Sequence, residues 1–178
     1  MNKILFRLIA IAVIVLSVHS CKRDPCRSTN CLNGGICKDG TCDCLSGYEG
    51  TDCGTESTAK FIGNYSVTDN INFTKSANNI DDPDSVFTKT YSVSVAKGND
   101  FGSLLIHNAD NNNGNYVYTT VDKSNLTVTN RPFYMTIKVA HTYDVSATGS
   151  MSGNTITIAY SVSGYYGSAT ITSVLVKQ

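Results

Sequence analysis

All seven cysteines of this 178-residue chain lie between Cys21 and Cys53, and none follows. Six crowd the segment CRSTNCLNGGICKDGTCDCLSGYEGTDC, from Cys26 to Cys53, with gaps C-x4-C-x5-C-x4-C-x-C-x8-C. So short a segment cannot enclose an apolar core, so its fold must come from covalent staples or a metal. Zinc is the poorer account, because zinc sites often use histidines and the segment has none. Three disulfides are expected instead, each stabilising by roughly 2–4 kcal/mol. Spacing leaves many pairings open, and even pairing leaves Cys21 as the odd thiol.

The start of the chain explains Cys21. Residues 1–20 read MNKILFRLIAIAVIVLSVHS, with Lys3 and Arg7 ahead of an uncharged apolar run from Leu8 to Val18. That run is too short for a permanent helix across ~30 Å of hydrocarbon, which needs about 20 residues. It suits a secretory signal, removed from the mature protein. An exported chain meets an oxidising compartment, which again favours disulfides. The segment ends Leu16-Ser17-Val18-His19-Ser20-Cys21. A branched apolar residue three before a cysteine, and a small one just before it, resemble the bacterial lipobox. The resemblance implies cleavage before Cys21 and lipidation of Cys21 by diacylglycerylation and N-acylation. Acyl chains contribute about 0.8 kcal/mol per buried methylene, so the membrane is the first expected partner. Lys22, rather than aspartate, follows that cysteine; in enterobacterial lipoproteins this permits export to the outer membrane. The expected address is therefore the bacterial envelope, outer membrane-anchored and either periplasmic or surface-exposed.

Between the six paired cysteines stand Asn33-Gly34-Gly35, Cys42-Asp43-Cys44, Gly47-Tyr48 and Gly50-x-x-Cys53. This segment resembles an EGF-like domain over its whole length. The resemblance implies the pairing first to third, second to fourth and fifth to sixth: Cys26–Cys37, Cys31–Cys42 and Cys44–Cys53. Calcium-binding members carry several acidic or amide residues before the first cysteine, where this chain has only Asp24. No calcium site is therefore expected. The module reads as a spacer between the membrane and the remainder of the chain.

The expected divisions are a signal at 1–20, a lipidated tether at 21–25, the EGF-like domain at 26–53, a polar linker at 54–60, and a β-domain at 61–178. From Phe61 onward apolar residues recur with period two, as half-buried strands require. Phe61, Gly63, Tyr65 and Val67 open the series. Further runs are Phe87 to Val95, Leu104 to Ile106, Tyr116 to Val121, Leu126 to Val128, Phe133 to Val139, Tyr143 to Met151, Ile156 to Val162 and Ala169 to Val176. Turn-forming stretches such as Lys97-Gly98-Asn99-Asp100, Asn111 to Asn115, Asp122 to Asn125 and Ser152-Gly153-Asn154 separate them. No apolar stripe persists at helical spacing. The fold class is mainly β: an antiparallel meander barrel of eight or nine strands, with a β-sandwich as the alternative. Gly63-Asn64-Tyr65 is similar to the Gly-x-Trp start of lipocalins. The Gly149 to Ile158 hairpin resembles the end of small lipocalin-like domains on Bacteroidetes lipoproteins. The expected core includes Phe61, Tyr65, Val93, Leu126, Ile137, Ile156, Ile158 and Ile171. With its own core and no cysteine, the β-domain is expected to fold without the module.

The chemistry-bearing residues are sparse. Formal net charge is zero and only 16% of residues are charged, which argues against nucleic acid as a partner. His107 and His141 lie in different strands, and no Gly-x-Ser-x-Gly elbow is present. Asp81-Asp82-Pro83-Asp84 reads as a solvated loop rather than an acid/base pair. The Asn108 to Asn115 loop fails an EF-hand alignment, with Ala109 and Thr120 where carboxylates are needed. Tyr116, Tyr118, Tyr165 and Tyr166 offer aromatic faces to sugars, though strand surfaces favour tyrosine anyway. Asp84-Ser85-Val86 matches a short O-glycosylation signal of some Bacteroidetes, which makes Ser85 a candidate modification site. No catalytic residue, cofactor or metal is expected. The functional expectation is a lipid-anchored envelope protein whose barrel binds a small apolar or glycan ligand, at residues the pattern does not single out. A protein ligand is a further option for the partner. The alternative is a non-enzymatic structural or adhesive surface protein with no small ligand.

Overall fold

The computed structural model describes residues 23–77, 83–107, 116–137 and 140–178. The cysteine-rich part forms two small hairpins. β1 (Ile36–Lys38) pairs with β2 (Thr41–Asp43), and β3 (Tyr48–Glu49) pairs with β4 (Thr55–Glu56). The first turn is Asp39-Gly40, both at positive φ (51° and 86°). That is the twist a two-residue hairpin loop needs, and Asp-Gly supplies it at little steric cost. Disulfides join Cys26 to Cys37, Cys31 to Cys42 and Cys44 to Cys53, the same connectivity the EGF-like resemblance implies.

The stretch 54–60, expected as a linker, is built into the structure. Thr55–Glu56 complete the second hairpin, Ser57 and Thr58 are buried, and Ala59–Phe61 form a short 3-10 turn. The backbone N–H of Ser57 donates to the Gly47 carbonyl at 2.9 Å. Its polar composition reflects backbone and side-chain hydrogen bonding at a junction, rather than solvation of a free chain.

Eight strands then run in sequence order: β5 (Gly63–Lys75), β6 (Ser85–Lys97), β7 (Ser103–His107), β8 (Tyr116–Asp122), β9 (Asn125–Thr136), β10 (Ala140–Ser152), β11 (Thr155–Gly164) and β12 (Gly167–Lys177). Each pairs antiparallel with the next, and β12 closes on β5, giving a barrel rather than a sandwich. Period-two alternation drives this closure, because every strand has one apolar row to hide and a closed sheet leaves no edge. All eight residues expected in the core are buried.

Two runs that read as separate strands, Leu126 to Val128 and Phe133 onward, are one strand, β9. Pro132 between them suggests a break. In the structure β8 pairs with β9 only at Thr120–Thr127, Val121–Leu126 and Asp122–Asn125. Pro132 lies beyond those pairs, on a stretch of β9 with no β8 partner among the described residues. A missing N–H removes no ladder bond on that side. A register shift between Val145 and Ala147 of β10 absorbs the irregularity on the other side.

The two barrel ends are occupied differently. Phe61 and the buried row Tyr65, Val67, Val93, Val95, Leu104, Ile106, Leu126, Ile156, Ile158 and Leu175 fill one end. The cysteine module caps it. The Tyr48 ring meets Phe101 at 5.0 Å, Ser46 Oγ donates to Asp122 at 3.1 Å, and Lys60 pairs with Glu49 at 2.7 Å. Gly47 (φ 87°) allows that approach, since a Cβ there would overlap the Phe101 ring. A second cluster, Ile71, Phe73, Ile137, Tyr143, Val145, Val162, Ala169 and Ile171, fills the opposite end.

Candidate binding site in the barrel

Between the two apolar clusters lies a polar layer. The inward row of β5 runs Tyr65, Val67, Asp69, Ile71, Phe73, all buried. Strand pairing sets Asp69 directly opposite Lys89 of β6 on one side and Ser173 of β12 on the other. Directly paired residues share a face of the sheet, so three polar groups project inward at one level. The Ser173 hydroxyl donates to Asp69 Oδ1, and the Tyr91 hydroxyl donates to Oδ2 at 2.8 Å. Tyr160 of β11 stands close enough to feel the same charge.

This layer costs free energy, because a carboxylate loses its hydration when buried. Burial pushes the Asp69 carboxyl above its ordinary range, opposed by the Ser173 and Tyr91 hydrogen bonds and the charge of Lys89. The Tyr160 phenol is pushed upward too, first by burial and then by the charge of Asp69. Lys89 spends its ammonium on the Thr136 carbonyl of β9 at 2.6 Å. Beside the polar layer is a cavity of about 30 Å³, walled by Asp69, Lys89, Ser173, Val117, Phe133 and Val145 among others. A single water or small head group needs roughly 10–15 Å³ of such space, so the cavity can take one.

Among the described residues, β6 pairs with β7 at Ser94 to Lys97. With β8 and β9 parting after three pairs, a groove of about 220 Å³ opens on the barrel side, lined by Tyr116, Val117, Tyr118, Val128, Pro132, Phe133 and Val145. Val117, Phe133 and Val145 wall both groove and cavity. An apolar channel with one polar layer at its inner end can hold a small amphipathic molecule by burial and orient it by hydrogen bonds.

The candidate residues read from sequence are dispersed. Cys21 lies outside the described residues, as do Asp81, Asp82 and the Asn108 to Asn115 loop. Asp84 accepts a hydrogen bond from the Lys75 N–H at 2.9 Å, a turn role. Ser85 opens β6 with its hydroxyl shielded from solvent, so a glycan there would have to be added before the strand packs. His107 faces the Tyr116 ring at 6.1 Å. His141 sits at the rim with Tyr143, Tyr166 and Tyr165, at 5.8, 5.0 and 6.5 Å. Of the four tyrosines, Tyr116 and Tyr118 line the groove and the other two belong to that rim cluster. Asp69 and Lys89 escape a reading of the sequence by motif. A charged residue at the inward parity of an alternating strand is the signal that finds both. The chain matches no protein-family model and no solved structure.

Proposed function

We propose that this chain is a lipid-anchored, non-catalytic envelope protein whose barrel binds a small, mostly apolar ligand through the groove between β8 and β9. The observation that carries the reading is the shared wall of Val117, Phe133 and Val145, which places an open apolar groove against a buried polar layer. The lipobox-like Leu16 to Cys21 and the three disulfides support an exported chain. The module packs on the barrel end remote from the second apolar cluster. An anchor at Cys21 would therefore sit on the module side of the barrel, with His141, Tyr165 and Tyr166 at the other end. His107 and His141 each stand against tyrosine rings, a setting for packing rather than proton transfer.

A second reading, a structural surface protein without a small ligand, draws on the enclosed volume. About 30 Å³ falls far short of the roughly 300–1,000 Å³ of a pocket that engulfs its ligand. Prodan, a neutral naphthalene fluorophore, separates the two. Saturable one-to-one binding by the intact chain, weakened at least tenfold in Val145→Phe, is the expected result. Unsaturable binding, or none, selects the structural reading. For the anchor, metabolic palmitate labelling is expected in the native chain and not in Cys21→Ser; labelling that persists in the variant overturns it.

A further inference from the structure

The geometry points to a ligand class for the groove: a small primary amine carrying an apolar tail, its ammonium group in the inner cavity at Asp69 and its tail between Tyr116, Tyr118, Pro132 and Phe133. The inference rests on the groove reading above. Asp69 is 6% exposed and lines the cavity. Its partners among the described residues are one hydroxyl on each oxygen, from Ser173 and Tyr91. An ionised carboxylate can accept about four hydrogen bonds, so acceptor capacity is left over facing a space that holds one small group. Ammonium brings three donors and the compensating charge in a compact head. A carboxylate head would instead meet Asp69 as a like charge in a poorly solvated site.

Lys89 is the counter-argument, since it already places a cation in the same layer. It lines the cavity as well, but its ammonium donates to the Thr136 carbonyl of β9 at 2.6 Å. It is also half-buried while Asp69 is buried. Solvent screens an exposed charge more than an enclosed one, so the inner end of the cavity is governed by the carboxylate. The outer groove has the opposite character: two tyrosine rings, a proline, a phenylalanine and three valines, with no ionisable group except the two phenols. Polar at its inner end and apolar along its length, the site matches an alkylamine.

The test is calorimetric titration of the intact, oxidised chain with hexylamine, hexanol and hexanoate, which share one tail and differ in the head. Hexylamine is expected to bind at least tenfold more tightly than hexanoate, with hexanol between them. In Asp69→Asn the advantage of amine over alcohol should vanish while hexanol changes less than threefold. Equal affinity for all three, or a preference for hexanoate, overturns the amine assignment and leaves the groove reading standing. Binding of none of the three at millimolar concentration overturns both. If Asp69→Asn fails to fold, the ranking of the three probes on the native chain decides the matter alone.

Discussion

Two regions of the barrel are built from the same alternating strands, yet the module end is filled by one apolar cluster while the layer next to it, short of the second cluster, is polar. At the module end, inward positions are apolar without exception along Val93–Val95 and Leu104–Ile106, and Phe61 plugs the centre. Tyr65 fixes that plug by donating its hydroxyl to the Phe61 carbonyl at 2.8 Å. Lys177 reaches over the Tyr65 ring and donates to the Lys60 carbonyl at 3.0 Å. Between that end and the second apolar cluster, the inward rows carry Asp69, Lys89 and Ser173. The filled end can carry the fold because it is dry, and this lets the polar layer accommodate a buried charge.

That contrast predicts unequal costs for the same substitution. Ile158 is 1% exposed in the sealed cluster, so Ile158→Ala should cost about 2–5 kcal/mol, since the hole cannot collapse. Ile171→Ala enlarges a cavity that already has polar walls. Water can enter such a space, which recovers part of the loss. Chemical denaturation of both variants should show Ile171→Ala milder by about 1 kcal/mol or more. Equal losses would mean that the two ends are equally tight.

The plug supplies the next largest effect. Tyr65→Phe keeps the ring but strands the buried Phe61 carbonyl, at a cost of about 1–3 kcal/mol. Phe101→Ala is expected to cost less, about 0.5–1.5 kcal/mol, because it removes an aromatic pair that is half in solvent. Hydrogen exchange should find its effect concentrated at Tyr48, Gly47 and the 98–102 loop. A spread over the whole barrel would show that the module is integral to the core. That outcome would contradict the expectation that residues 58–178 fold unaided.

Much of the sealed end is legible in the sequence, because strand parity alone sorts Val93, Ile156 and Ile158 inward. Pro132 misleads for a local reason. A proline breaks a strand only where a neighbour needs its N–H, and the shortness of the β8–β9 ladder is set by tertiary structure. The 54–60 stretch is opaque for a similar reason, since Ser57 and Thr58 are buried by neighbours that sequence does not reveal. The polar layer is nearly in view. The apolar alternation of the first strand runs to Val67, and one more step of the same period reaches Asp69. What pattern cannot supply is that Asp69, Lys89 and Ser173 meet, which needs the registers of three strands separated widely in the chain.

The smallest expected effect concerns Asp69, and its sign is the informative part. The folded state holds this carboxyl above its ordinary range, chiefly through burial. Between the unfolded value and the raised one, the native state therefore binds more protons than the unfolded state. Stability must then fall as pH rises through that window. Asp69→Asn is close in shape to the protonated acid, and the Tyr91 and Ser173 hydroxyls can turn to accept as well as donate. At pH 3 the variant should melt near or slightly below the native chain. By pH 7 the gap should have moved in favour of the variant, because only the native chain then carries a buried charge. Tyr65→Phe should show a gap that stays constant across the same range, since the hydroxyl it removes is bonded to a backbone carbonyl, which carries no titrating proton. Thermal melts of the three proteins at pH 3, 5 and 7 make the comparison. A gap that moves instead in favour of the native chain as pH rises would mean that Lys89, Tyr91 and Ser173 more than offset the desolvation. The polar layer would then be a stabilising network in its own right, with no unmet demand for a cationic ligand.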